Sequence, residues 1–193
     1  MVTRVADLRA DPRPIDKDVK VPAAVQRAFE IASHPRVQSL SYGLMDFVSA
    51  HYGAIPAEAM RSPEQFAHPL VVRAKLEIAA ACHAHGKVAS HNVCTEIRDP
   101  AIVSADANRA AHELGYGRMW SIHPSQIGPI LAAFAPNRQD VDDGAEILSA
   151  ARDNAWGPIQ HQGKLHDRAS YRYYWTVLQR ARQQGQALPK KAV

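Results

Sequence analysis

Cysteine is scarce in this 193-residue sequence, and Cys82 and Cys94 form no C-x-x-C pair. That spacing excludes a zinc knuckle and a dithiol redox motif, and sparse thiols point to a reducing, cytoplasmic compartment. Long apolar runs are missing as well. None approaches the roughly 18 residues of a membrane span, and residues 1–20 hold charge where a signal peptide needs an apolar stretch. Blocks of one charge sign are also absent. The net charge is +4 with a pI of about 9.2, but the basic residues are interleaved with acids. A nucleic-acid-binding module needs a basic stripe with exposed aromatics, so the sequence argues against one. There is no G-x-S-x-G elbow and no phosphate-binding P-loop. His112-Glu113-Leu114-Gly115-Tyr116 opens like a zinc-protease helix but has Tyr where the second His must fall.

What is present is ordinary for a globular chain, with 46% hydrophobic and 22% charged residues, enough for one domain with a real core. Residues 1–22, with Pro12, Pro14 and Pro22 among many charges, read as an irregular lead-in. Helical spacing of Val25, Phe29 and Ile31 predicts a helix over residues 23–34, ended by Pro35. Val37, Leu40, Tyr42, Leu44 and Met45 form an apolar run suited to a buried strand. The clearest helix covers residues 68–85, with Val71, Ala74, Lys75, Ile78 and Cys82 on one face and Gly86 as its stop. The pattern then repeats. A strand lies near residues 87–93, and Asp99 caps a helix that Gly115 ends. A third strand covers residues 118–123 and a helix follows from Pro124. Two further helices are expected, near 140–154 and from Asp167 onward, the last with Tyr171, Trp175 and Leu178 on its apolar side.

Strand alternating with helix three times predicts βαβ units and a parallel sheet, whose strand C-terminal ends share one face. An acid immediately after an apolar strand would stand at that face, which singles out Asp46 as a Mg²⁺ ligand or, more simply, a helix cap. His123-Pro124 reads as an anion-receiving helix start or as a structural His beside an N1 proline. Asp167, at the start of the last helix, is explained by capping alone.

Three segments resemble the citrate lyase β-subunit and HpcH/HpaI aldolase family, which includes malyl-CoA-type lyases. They are Ser39 to Phe47, the stretch from His68 to Lys87, and Trp120 to Ile127; Leu165-His166-Asp167-Arg168-Ala169 matches too. The resemblance spans about residues 24–182 and implies an α/β fold, a partial TIM barrel over residues 23–137 with a C-terminal helical extension over 138–193. It implies a lyase that makes or breaks a C–C bond beside a thioester, with an acyl-CoA or 2-oxo acid as substrate and Mg²⁺ as cofactor. By this resemblance Asp46 is a metal ligand, Asp167 a proton-transfer group lent to a neighbouring subunit, and His123 and Pro124 contacts for substrate or CoA. The excess positive charge suits a CoA-sized polyanion. A departure stands beside these matches. The family's second metal ligand is a glutamate on the preceding strand, and here the segment before Ala24 reads Lys20-Val21-Pro22-Ala23. A complete barrel needs about 250 residues. Two expectations therefore compete. One is a truncated Mg²⁺-dependent lyase completed by a homo-oligomer or a complementing chain. The other is a catalytically inactive relative that serves as a binding or assembly partner. Parallel strands too few to close a barrel predict unpaired sheet edges and self-association.

Overall fold

The structure, a computed structural model, describes residues 13–190. The described residues divide into two compact units, with the boundary between Phe134 and Ala135.

The first unit is an α/β layer. Strands β1 (Ile15–Val19), β2 (Val37–Tyr42), β3 (Val88–His91) and β4 (Arg118–Met119) form one sheet in the order β1-β2-β3-β4, with every pair parallel. Helices α1 (Pro22–Gln26), α2 (Ala28–Ser33), α3 (Leu44–Ser49), α4 (Pro69–Ala84), α5 (Pro100–His112) and α6 (Ile127–Phe134) connect and flank them. The α4 face expected from spacing is buried at Val71, Ala74, Lys75, Ile78 and Cys82. Gly86 ends that helix with φ +62, a left-handed conformation that costs glycine least, and Lys87 N–H returns to the Cys82 carbonyl at 2.8 Å. The Asp99 side chain accepts from Ala101 N–H at 2.8 Å and caps α5.

Four features differ from the expectations. Residues 15–19 are not irregular: they form β1, whose Asp16, Lys17 and Asp18 pair with Ser39, Leu40 and Ser41 of β2. Charged side chains are tolerated there because an edge strand leaves half of its surroundings to water. The expected lead-in before residue 13 lies outside the described residues. The helix expected over 23–34 is broken at Arg27 into α1 and α2. Strand β2 ends at Tyr42, so Leu44 and Met45 belong to helix α3, and the strand expected over residues 118–123 is the two-residue β4.

Register assigns the residues of the sheet to two faces. Leu40, Tyr42 and Ala89 face α2 and α4 and are buried with Ala74, Ile78 and Cys82 in the main apolar cluster. Asp16, Ser39, Val88, Ser90 and Arg118 lie on the other face. That face is polar and open: Val88 is 41% and Trp120 48% exposed.

The second unit packs α7 (Arg138–Asp153) with α8 (Arg168–Gln183) through Val141, Ala145, Leu148, Tyr171, Val177, Leu178 and Ala181. Trp175 was expected on that apolar side but is 44% exposed. An antiparallel hairpin joins the helices, β5 (Ile159–His161) with β6 (Lys164–His166). Its two-residue turn, Gln162-Gly163, has positive φ at both positions, as the right-handed twist of a tight hairpin demands. Cys82 and Cys94 are free and buried, and among the described residues no helix is long and apolar enough to cross a membrane.

Candidate functional site

A cavity of about 340 Å³ opens at the C-terminal ends of β1, β2 and β3, lined among others by Asp18, Lys20, Asp46, Asn92, Thr95 and Trp120. Parallel strands with right-handed crossovers bring these ends together, although the residues lie up to a hundred positions apart. Asp46 stands in the first turn of α3, where its negative charge also suits the helix dipole. Register sets Val19 beside Tyr42, and the Gly43 N–H donates to the Val19 carbonyl at 3.1 Å. Lys20 and Gly43 therefore leave the sheet side by side. A Cβ at Gly43 would meet the Lys20 Cγ at 2.6 Å, so the lysine stem passes where only glycine leaves room.

The Lys20 ammonium lies between two carboxylates, 3.3 Å from Asp18 Oδ2 and 3.5 Å from Asp46 Oδ2. Its pKa is raised above the ordinary lysine range, first by the Asp18 hydrogen bond and charge and then by Asp46. All three side chains are about half exposed, so the cluster is a hydrated one at the cavity rim.

Deeper in the sheet a second set of polar groups crosses the open face. Ser39 Oγ donates to Asp16 Oδ1 at 2.6 Å and accepts from Arg118 at 2.5 Å, and Arg118 lies 3.1 Å from Asp16. The Asp16 carboxyl is held below its ordinary pKa, first by the Ser39 hydrogen bond. Trp120 Nε1 donates to Ser41 Oγ at 3.0 Å. The serines are buried beneath these longer side chains.

Behind the cavity wall lies a buried network that reaches it through Asn92. Asn92 Nδ2 donates to Gln65 Oε1 at 3.0 Å, which also accepts from Lys75 Nζ at 2.8 Å. Gln65 Nε2 donates to Asp106 Oδ2 at 3.0 Å, and Ser62 donates to the other carboxylate oxygen. Lys75 is fully buried with its Nζ 4.1 Å from the Phe66 ring centre. Burial pushes the Lys75 amine well below its usual range and raises the Asp106 carboxyl. His91, stacked on Phe66, is likewise pushed down by burial and by Lys75.

Of the residues singled out from sequence, Asp46 lines the cavity. His123 and Pro124 are not among its lining residues: the His123 ring caps a short 3₁₀ turn, Pro124–Gln126, with Nδ1 2.8 Å from Ser125 Oγ. Asp167 belongs to the second unit, where its side chain accepts from Ala169 N–H at 2.9 Å and Ser170 reciprocates in a capping box. Asp18, Lys20 and Asn92 were missed. Lys20 and Asp18 lie in a charged stretch with no apolar periodicity, and only the pairing of β1 with β2 brings them to Asp46.

Mg²⁺ was expected at Asp46. Among the described residues no group of three or more His, Cys, Asp or Glu side chains is placed to hold a metal ion. One or two carboxylates with water can suffice for Mg²⁺, but here the Lys20 ammonium lies between Asp18 and Asp46, a like charge where the ion would sit, and in that respect the residues present do not fit it.

No protein-family model matches the sequence. Similar proteins are found nonetheless. The L-malyl-CoA/β-methylmalyl-CoA lyase of Cereibacter sphaeroides is 28% identical over 196 residues, covering 94% of this chain and 61% of that protein. A crystal structure of a citrate lyase from Burkholderia xenovorans LB400 superposes with a TM-score of 0.85 at 58% identity, covering 95% of this chain and 57% of the other. The citrate lyase β subunit of Mycobacterium tuberculosis, complexed with oxaloacetate and magnesium, gives a TM-score of 0.57 at 25% identity over 65% of this chain and 54% of its own. The chain thus spans about three fifths of the length of the relatives it matches.

Proposed function

We propose, from homology with malyl-CoA lyases and citrate lyase β-subunit proteins, that this chain is part of a carbon–carbon lyase whose sheet is an incomplete TIM barrel. Its cavity takes a short 2-oxo acid or the acyl end of a CoA ester. The observation that carries this reading is the cavity's place at the carboxyl ends of a parallel sheet with Asp46 on its rim, which is where α/β enzymes assemble their chemistry. Trp120 supplies an apolar wall and Lys20 a cation for a carboxylate or carbonyl oxygen. Retro-aldol cleavage also needs a group to move protons at the hydroxyl and at the developing carbanion. We assign that role to Asp167, acting in a neighbouring subunit of a homo-oligomer or in a complementing chain. His123 and Pro124 are proposed contacts of the CoA moiety.

The test is calorimetry with pyruvate and oxaloacetate, followed by an assay of malyl-CoA and citramalyl-CoA cleavage on the wild type and Asp46→Ala. The reading expects saturable oxo-acid binding that Asp46→Ala weakens, together with turnover that the variant loses. Neither binding nor turnover by the wild type, or full activity in Asp46→Ala, sinks it. A second reading, a catalytically inactive relative acting as a binding or assembly partner, is favoured by the lysine held on Asp46. It expects binding without turnover.

A further inference from the structure

Lys20 directly follows β1, the strand before the one that leads into Asp46, on which the resemblance implies a glutamate metal ligand that this sequence lacks. A carboxylate there would join Asp18 and Asp46 in an oxygen-rich rim suited to a hard divalent cation. The chain instead carries an ammonium at that point, tethered through its own backbone and directed at both acids. We infer that the Lys20 ammonium replaces a divalent cation at this rim, so that the pocket of this chain receives an anionic oxo acid without a metal.

Three observations carry the inference. The ammonium lies within 3.5 Å of one oxygen of each carboxylate, so a metal shared by the two acids would meet a positive charge between them. Mg²⁺ sits about 2.0–2.1 Å from its oxygen ligands and demands near-octahedral geometry, so an ion bound to Asp46 would lie against a like charge. The lysine is also fixed by shape, because its stem lies against Gly43, whose missing Cβ leaves the passage open. An intramolecular cation has the further advantage of high effective concentration over a free ion. An ammonium has three N–H groups, so beside the two carboxylates at least one remains for a ligand oxygen.

The inference deepens the lyase reading of the cavity, and a metal titration separates the two. Mg²⁺ binding is measured by calorimetry on the full chain as wild type, Lys20→Glu and Lys20→Met, with circular dichroism confirming each fold. Lys20→Met keeps the stem against Gly43 and removes only the charge, so it reads the same property if Lys20→Glu does not fold. The wild type is expected to show no saturable Mg²⁺ binding at millimolar concentration. Lys20→Glu is expected to bind at least about tenfold tighter, and Lys20→Met to show a smaller gain. The gain in Lys20→Glu should vanish when Asp46→Asn is added. Saturable Mg²⁺ binding by the wild type overturns the inference, as does a folded variant with no gain, while oxo-acid binding by the wild type in the presence of a chelator supports it. A wild type that binds neither Mg²⁺ nor oxo acid fails the lyase reading instead.

Discussion

The two faces of the parallel sheet differ in how they treat charge. On the face under α2 and α4, apolar residues close around one polar network, Ser62, Gln65, Lys75, Asn92 and Asp106, whose members are buried or half-buried and hydrogen-bond to one another. On the opposite face Asp16, Ser39 and Arg118 form a ladder of comparable length that stands half in solvent. The same residue types are therefore worth very different amounts of free energy, because an unpaired charge is expensive only where water cannot reach it. Parallel sheets are ordinarily covered on both faces, and here the face carrying this ladder is the one left open among the described residues.

The contrast can be broken by substitution. Asp106→Ala removes the carboxylate that accepts from Ser62 and Gln65 and leaves their donors without a partner inside the fold, and it is expected to cost about 2–4 kcal/mol in urea denaturation. A loss below about 1 kcal/mol would show that the network is hydrated. A smaller effect is expected from acid. The folded His91 has a pKa well below its ordinary 6.5, so the unfolded chain binds the extra proton first and stability falls as pH drops below 6.5. The slope approaches at most about 1.4 kcal/mol per pH unit for one proton. Asp106, whose carboxyl is raised, acts in the opposite sense at lower pH, so the measurement is the difference between the wild type and His91→Gln, whose profile should be flatter.

In the second unit, Asp167→Ala is expected to lose about 1 kcal/mol of stability through its cap, and Asp167→Ser to keep most of it. If Asp167 also moves a proton, both variants lose turnover alike, whereas a purely structural aspartate lets the serine variant work. The smallest effect belongs to the open face. Arg118→Ala is expected to change stability by less than about 1 kcal/mol, and by less still in high salt, because its partners are solvated. A large loss there would mean that the ladder is covered in solution.

The same contrast explains what could be read from the sequence. The α4 face, Gly86 and the Asp99 cap were legible because each depends on spacing within one element. Asp46 was legible as an acid after an apolar strand. Strand β1 was not, since Asp16, Lys17 and Asp18 resemble a solvated loop until β2 pairs with them. The β5–β6 hairpin escaped for a related reason: its two three-residue strands are too short to show alternation, and the Gln162-Gly163 turn was the only local mark. Lys20 needed both the existence of β1 and its register to be placed beside Asp46, and neither is encoded within a window of a few residues.

The absent Cβ at position 43 ties two distant positions into one inheritance. Any side chain there would strike the stem of residue 20 near its root, where bond rotation offers little escape. Glycine at 43 and a long residue at 20 should therefore persist or disappear together among close relatives. A lineage that enlarges residue 43 has to shorten or redirect residue 20, and in doing so uncovers both acids at once.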